Sequence, residues 1–268
     1  MNRVAAGLLS LASLFMFGCT VPMKSAMLIR DEGLHSDEVI HDESEANFAL
    51  KSLSDSSKFQ NMGGLESVEI EKHGFVLKFS TVDYYTTYQN SVSRFGDFKG
   101  RSIYTDSTTE TPVVQKMNRQ YFLEDIKEIR FFGLSEFYDG PDGFGKIFDG
   151  FVCLVKLPGD QFVAKGLNRK NVERVANAIS KLSGVNVETV SEGRLRGISI
   201  DEDLQVVSVT TPSPLKDVPL LSKLVAMGEQ ESEFKDADDV IRRFDSIRNP
   251  TTLFVRTKEG DMLKFQIH

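Results

Sequence analysis

Three aspartates around a glycine-rich stretch form the most suggestive polar cluster of the chain. Asp139, Asp142 and Asp149 are interspersed with four glycines between positions 140 and 150. Calcium prefers several oxygen ligands, and one turn with three carboxylates can supply them. The spacing departs from the helix-loop-helix calcium pattern, which needs alternating Asp or Asn residues and a terminal Glu. Two interpretations stay open: a calcium site of Asp139, Asp142 and Asp149, or a turn with solvated carboxylates.

Nucleophilic catalysis has few candidate residues. Two of the four histidines, His35 and His41, lie in an acidic segment, and a third is the last residue, so His73 would have to serve a catalytic triad. His73 lies in a predicted hairpin turn, and the chain has no G-x-S-x-G motif. Cys153 lies within an apolar run, where a cysteine is typically a small, buried and unreactive side chain. The sequence therefore predicts no Ser–His–Asp or Cys–His site.

Tyrosines in one predicted strand are candidates for contact with a partner. Tyr84, Tyr85 and Tyr88 lie in this strand, and two phenylalanines follow it. Because successive side chains of a strand point to opposite faces, Tyr84 and Tyr88 share one face and Tyr85 takes the other. Tyrosine combines a large apolar ring with a polar hydroxyl, which suits a surface that binds a glycan or a protein. Packing in the core is the alternative.

The first 23 residues have the layout of a secretory leader. Arg3 is their one charged residue, and an uncharged, mainly apolar stretch runs from Val4 to Phe17. A positive end, a short apolar segment and a small residue at the cleavage point are the marks of an export signal. The stretch is shorter than the roughly 18 residues that a membrane-spanning helix needs.

The residues that follow this stretch resemble the leader of bacterial lipoproteins. In that family a small residue directly precedes a cysteine that receives lipid, and Gly18 and Cys19 match these two positions. Met16 and Phe17 depart from the family pattern, which prefers Leu and a small residue there. The resemblance implies an envelope protein held in a lipid bilayer by an acylated Cys19. Thr20, where an Asp commonly retains a lipoprotein at the inner membrane, implies the outer membrane facing the periplasm in a Gram-negative organism.

Two other interpretations of the leader stay open. Ordinary export would need small residues before the cleavage point, and the best local candidate, the tripeptide from Lys24 to Ala26, places a lysine there. A retained leader acting as a short anchor is the second.

Composition excludes several classes of protein. Lys and Arg total 32 against 39 Asp and Glu, a net charge of −7, and no dense cationic face emerges, so nucleic acid is not an expected partner. A hydrophobic content of 40% predicts a packed core. The two cysteines exclude a disulfide framework.

Charge divides the chain into expected regions. We expect a signal peptide over 1–18, an acidic tether over 19–61, a β-rich domain with a closing helix over 62–184 and a smaller α+β portion over 185–268. From Asp31 to Glu66 there are nine acidic and two basic residues, which favours an extended or only partly helical segment.

Periodicity predicts an α+β fold. Seven or eight short strands precede an amphipathic helix that Asn168 caps and Gly184 ends, which indicates a curled antiparallel sheet closed by that helix. This order of elements is similar to that of pleckstrin-homology-like domains, an analogy of architecture that carries no function. The last portion is expected to contain a short helix from Pro219 to Met227, a longer one from Ser232 to Arg248 and a final hairpin.

These observations favour a non-catalytic envelope lipoprotein that acts in binding or assembly. Two alternatives stay open: an exported hydrolase that uses carboxylates without a local signature, and a lipoprotein that binds a divalent cation.

Overall fold

The computed structural model describes residues 24–93, 103–140, 143–188 and 195–268, with the backbone alone for 83–93 and 103–113. Within these ranges the chain is α+β and rich in strands, as predicted, and its strands do not close into a barrel. The elements are β1 (Lys24–Arg30), α1 (Glu43–Lys51), β2 (Leu65–Glu71), β3 (Gly74–Ser93), β4 (Ile103–Phe122), β5 (Glu128–Gly140), β6 (Gly143–Leu157), β7 (Asp160–Gly166), α2 (Arg169–Ser183), β8 (Val187–Glu188), β9 (Ile198–Ile200), β10 (Val206–Thr211), β11 (Lys223–Met227), β12 (Ser232–Glu233), α3 (Ala237–Ser246), β13 (Thr251–Arg256) and β14 (Met262–Ile267).

The largest sheet joins both halves of the chain through its first strand. Its order is β7-β6-β5-β1-β10-β9, with β8 beside β5. Strand β1 pairs antiparallel with β5, where Lys24 lies opposite Asp139, and parallel with β10, where Met27 lies opposite Ser208. The portion over 185–268 therefore contributes strands to the same sheet as the portion over 62–184.

The segment predicted to be an acidic tether is part of the core from β1 onward. Asp42 caps α1 by accepting a hydrogen bond from the backbone N–H of Glu45 at 2.8 Å. Leu50, Leu53 and Phe59 are buried in one cluster with α2. The prediction of a tether over 19–61 is thus wrong for the described residues, because their apolar side chains pack in the core. The segment is only partly helical, as expected.

Helix α2 is the predicted amphipathic helix. Asn168 accepts a hydrogen bond from the N–H of Lys170, and Gly184 ends the helix in the left-handed region at φ +74°. The apolar side of α2, including Val172 and Ile179, packs in a cluster with side chains of β5, β6 and β7. The predicted helix is confirmed with both of its caps.

Strands β3 and β4 form a hairpin that extends beyond β2, the third strand of their sheet. Strand β2 pairs with β3 from Gly74 to Phe79, whereas the β3–β4 ladder runs from Gly74 opposite Phe122 to Ser93 opposite Ile103. Residues 80–93 and 103–116 therefore form a two-stranded ribbon that continues beyond β2.

From β11 onward the chain forms a separate four-stranded sheet, β12-β11-β13-β14. Apolar side chains of α3 and of this sheet pack in one buried cluster. The helix predicted from Pro219 to Met227 is wrong: Lys223 to Met227 form β11, with Leu224 and Ala226 buried. Helix α3 lies within the predicted range, and the final hairpin is confirmed as β13–β14.

Candidate functional site

One face of the large sheet carries an apolar groove. Alternation along β5 places Phe132 and Leu134 on this face, whereas Ile129 and Phe131 pack with α2 on the other. The groove encloses about 80 Å³. Small-molecule sites typically span roughly 300–1,000 Å³, so this groove suits one side chain better than a substrate.

A buried ion pair lies along the groove. Lys165 is 8% exposed, and its Nζ lies 2.6 Å from Oε1 of Glu136 and 5.5 Å from the centroid of the Phe148 ring. Glu136 is the one carboxylate among the described residues that line the groove. Catalysis by paired carboxylates needs a second carboxyl group and a free proton acceptor. The groove as described offers neither.

A network of ion pairs, which we call the charge network, joins α2, the segment after β1 and the β5–β6 hairpin. The Nε of Arg169 lies 3.1 Å from Glu173, and its Nη1 lies 3.2 Å from Glu32. Arg30 contacts the other oxygen of Glu32 at 3.1 Å and Asp149 at 3.4 Å. Each of these carboxylates contacts at least one cation, so the cluster is suited to holding the fold together.

Glu173 is the most deeply buried residue of the charge network. Its side chain is 0% exposed and accepts a hydrogen bond from the backbone N–H of His35. The guanidinium of Arg169 lies over the rings of Phe131 and Phe151, at 5.3 and 5.8 Å, and donates to the carbonyl of Gly33 at 2.8 Å. Arg169 therefore does not lie on a solvated face of α2. The 3.6-residue period could have located Glu173, since it lies three residues before Ala176 and so borders the apolar side of α2.

Two of the three aspartates predicted to bind calcium, Asp139 and Asp149, contact lysines. Asp149 accepts hydrogen bonds from Ser135 Oγ at 2.7 Å and Lys146 Nζ at 2.9 Å, and these bonds lower the pKa of Asp149. Asp139 lies 2.5 Å from Lys258 Nζ. Both carboxylates are thus already matched to a positive charge.

The strand ladder separates these two aspartates. Asp149 lies opposite Ser135 and Asp139 opposite Phe144. Asp139 is therefore four residues along β5 from the position opposite Asp149, about 13 Å of strand. Asp142 lies outside the described residues, and within those residues no group of three or more His, Cys, Asp or Glu side chains is placed to hold a metal ion. The calcium site stays a prediction.

We expect millimolar calcium to leave the melting temperature unchanged. A ligand that binds the native state raises its stability, but calcium would first have to displace Lys146 and Lys258 from their carboxylates. Thermal melting with and without calcium measures this, with magnesium as the control ion. A calcium-specific rise in the melting temperature that Asp149→Asn abolishes would contradict the expectation and establish the site.

The two candidates for nucleophilic chemistry are placed as the sequence predicts. Cys153 is fully buried, and burial raises the pKa of its thiol to about 12. It is therefore protonated at physiological pH and unreactive. His73 is exposed in the turn between β2 and β3.

The tyrosines proposed to contact a partner lie on the β3–β4 ribbon. Tyr84 is opposite Pro112 and Tyr88 opposite Thr108 in the ladder, but the side chains of these residues are outside the described part. Two residues before Tyr84, Val82 is opposite Val114, and both are about half exposed. The aromatic patch stays a prediction on a ribbon that exposes some apolar surface.

A second aromatic surface, which the sequence analysis missed, lies where the β5–β6 hairpin ends. The rings of Phe137 and Phe144 stack at 5.1 Å between centroids. The Nζ of Lys146 lies 5.8 Å from the Phe137 ring, and the Nζ of Lys258 lies 5.3 Å from the Phe144 ring. We call Phe137, Phe144, Ile147 and Lys146 the hairpin end. Its signal in the sequence was apolar residues within the glycine-rich stretch.

Comparisons with known proteins give no relative for this chain. No protein-family model, no curated protein and no solved structure matches it. Among the described residues, none of the helices has the length and apolar character required to span a bilayer.

Proposed function

We propose that this chain is an exported envelope lipoprotein, anchored in a lipid bilayer through acylated Cys19, whose folded body binds or assembles with another envelope component without catalysis. The observation that carries the proposal is the arrangement of residues 4–24. An apolar stretch ending at Phe17 is followed by Gly18 and Cys19, and the first strand begins at Lys24. A cleaved and acylated Cys19 would leave every described element of the fold in the mature chain.

Acylation accounts for attachment without a membrane-spanning helix. Each methylene of an acyl chain buried in the bilayer contributes about 0.8 kcal/mol, and two or more chains hold a protein stably. Thr20 favours the outer membrane, with the body in the periplasm, if the organism is Gram-negative.

The state of the reactive groups favours binding over catalysis. The apolar groove has a volume of about 80 Å³ and one carboxylate, Glu136, which Lys165 neutralises. Cys153 is buried and protonated. A hydrolase would need a larger cavity with a free acid or base, and the described residues offer none in this groove.

The β3–β4 ribbon is the surface that we propose for an envelope protein or a glycan. It continues beyond β2 as a two-stranded ribbon, and Val82 and Val114 on it are about half exposed. Tyr84 and Tyr88 would supply the contact on one face. The likeness to pleckstrin-homology-like domains, with α2 closing the sheet, is part of the same proposal and concerns architecture alone.

We predict that Cys19→Ser abolishes lipid attachment. The variant lacks the thiol that receives the acyl groups, so it should move from the detergent phase to the aqueous phase in a two-phase partition. Mass spectrometry of the mature wild-type chain should find Cys19 as its first residue, carrying acyl groups.

Cys153→Ala is the matched control, because it removes the other cysteine of the chain and should leave partitioning unchanged. Equal partitioning of wild type and Cys19→Ser, or a mature wild-type chain that starts with Met1, would contradict the proposal.

Chemical crosslinking in intact cells can identify the binding partner. Loss of the crosslink in Tyr84→Ala/Tyr88→Ala would show that the partner contacts the β3–β4 ribbon.

A further inference from the structure

The topology places the end of the proposed anchor beside the β5–β6 hairpin. Lys24, the first residue of β1, lies opposite Asp139, and Gly140 lies opposite Gly143 where β5 and β6 meet. Because β1 and β5 are antiparallel, the chain that precedes Lys24 leaves the sheet at the end where this hairpin turns. The opposite end of the same ladder is Glu128, paired with Lys156.

Covalent geometry limits the distance between the anchor and this end of the sheet. Five residue steps separate Cys19 from Lys24. A fully extended chain spans at most about 3.6 Å per residue, so the Cα atoms of Cys19 and Lys24 are at most about 18 Å apart. A flexible tether of some forty residues would have allowed the folded body to lie far from the membrane. The residues from Lys24 onward are instead part of the fold.

The hairpin end lies at the same end of the sheet as Lys24 and exposes apolar side chains. Phe144 is 49% exposed and Ile147 is 62% exposed. The ladder pairs Glu136 with Phe148 and Phe137 with Lys146, which leaves Ile147 as the additional residue of a β-bulge. Bulges redirect a side chain out of the regular alternation. Here the bulge residue Ile147 is exposed, and it follows Lys146, which lies opposite Phe137.

The charges at this end are matched in pairs. Lys146 contacts Asp149 at 2.9 Å, and Lys258 contacts Asp139 at 2.5 Å. Each ammonium also lies within 6 Å of a phenylalanine ring centroid. Aromatic rings with lysines beside them suit the boundary between lipid headgroups and acyl chains, where the apolar part is buried and the ammonium reaches water.

We propose that the hairpin end lies on the bilayer surface and inserts Phe144 and Ile147 into the headgroup–acyl boundary, which fixes the orientation of the body relative to the membrane. The inference rests on the proposed acylation of Cys19 and adds a second membrane contact to it. Because the two lysines beside the rings are each paired with an aspartate, this contact should not require anionic lipids or weaken with salt.

The absence of tryptophan from the sequence allows a direct test. Phe144→Trp introduces a single fluorescent reporter at the hairpin end. Phe122→Trp is the matched control, because Phe122 is 41% exposed and precedes the opposite end of β5, about 40 Å of strand away. Each acylated full-length variant is incorporated into phosphatidylcholine vesicles with and without bromine-labelled acyl chains.

We expect the emission of Phe144→Trp to shift to shorter wavelength in vesicles and to be quenched severalfold more strongly by the bromine label than that of Phe122→Trp, equally at low and high salt. Equal quenching of the two acylated variants would overturn the inference and leave the lipid anchor intact. Mass spectrometry showing that Cys19 carries no acyl group would refute the proposed function instead. A blue shift that appears only with anionic lipids and disappears in salt would overturn the neutral insertion and indicate electrostatic binding.

Discussion

Replacing Phe59 with alanine should lower the free energy of unfolding by about 3–5 kcal/mol. Phe59 is 1% exposed and packs in the largest buried cluster, although it lies in the acidic segment that the sequence indicated to be a tether. The loss combines the transfer of an aromatic ring to water with the cavity that it leaves. Urea denaturation followed by circular dichroism measures the change.

Phe48→Ala is the matched control for this prediction. Phe48 belongs to α1 in the same acidic segment, but it is 69% exposed. Its replacement should change the free energy of unfolding by no more than about 0.5 kcal/mol. If the two variants were equally stable, residues 43–59 would not belong to the core, and the extended tether would be the better description.

The sequence correctly predicted the elements that are specified by residues close together in the chain. Helix α2 has a capping Asn168, a regular apolar stripe and a terminal Gly184, and the structure contains all three. The β6–β7 hairpin has a local signal of the same kind, the turn residues Pro158 to Asp160 between two apolar runs. Such elements are specified by residues that are neighbours in the chain.

Strand β1 shows why other parts were not predictable. Its partners are β5, more than a hundred residues later, and β10, which begins at Val206. Nothing within Lys24–Arg30 indicates either partner, because pairing at that separation depends on the whole sheet. The short helix α1 was missed for another reason: the net charge of its segment was counted without regard to the period that puts Ala46 and Leu50 on one side.

The candidate surfaces were predictable only in part. The sequence singled out the glycine-rich stretch for its carboxylates, but Asp139 and Asp149 contact lysines, one of them more than a hundred residues away at Lys258. The stacking of Phe137 on Phe144 depends on the register of β5 with β6, including its bulge. A one-residue difference in that register would place the rings on opposite faces.

Glu173→Ala should destabilise the fold by about 3 kcal/mol, because removal of one partner from a buried ion pair leaves the other without compensation. Glu173 is fully buried, and its carboxylate accepts from Arg169 and from the backbone N–H of His35. In the variant, Arg169 keeps Glu32 as its one carboxylate, and the His35 N–H loses its acceptor. Glu66→Ala, which removes an exposed glutamate from β2, should change the free energy of unfolding by no more than about 0.5 kcal/mol.

A double-mutant cycle separates the ion pair from simple loss of packing. If Glu173 acts through Arg169, the combined loss in Arg169→Ala/Glu173→Ala should be smaller than the sum of the single losses by about 0.5–3 kcal/mol, the range found for residues in contact. Additive losses would mean that the two side chains stabilise the fold independently and would contradict the coupling.

Arg169 also donates hydrogen bonds to the backbone carbonyls of Glu32 and Gly33, shortly after the end of β1. Hydrogen exchange should therefore show faster opening of residues 33–35 in the single variants.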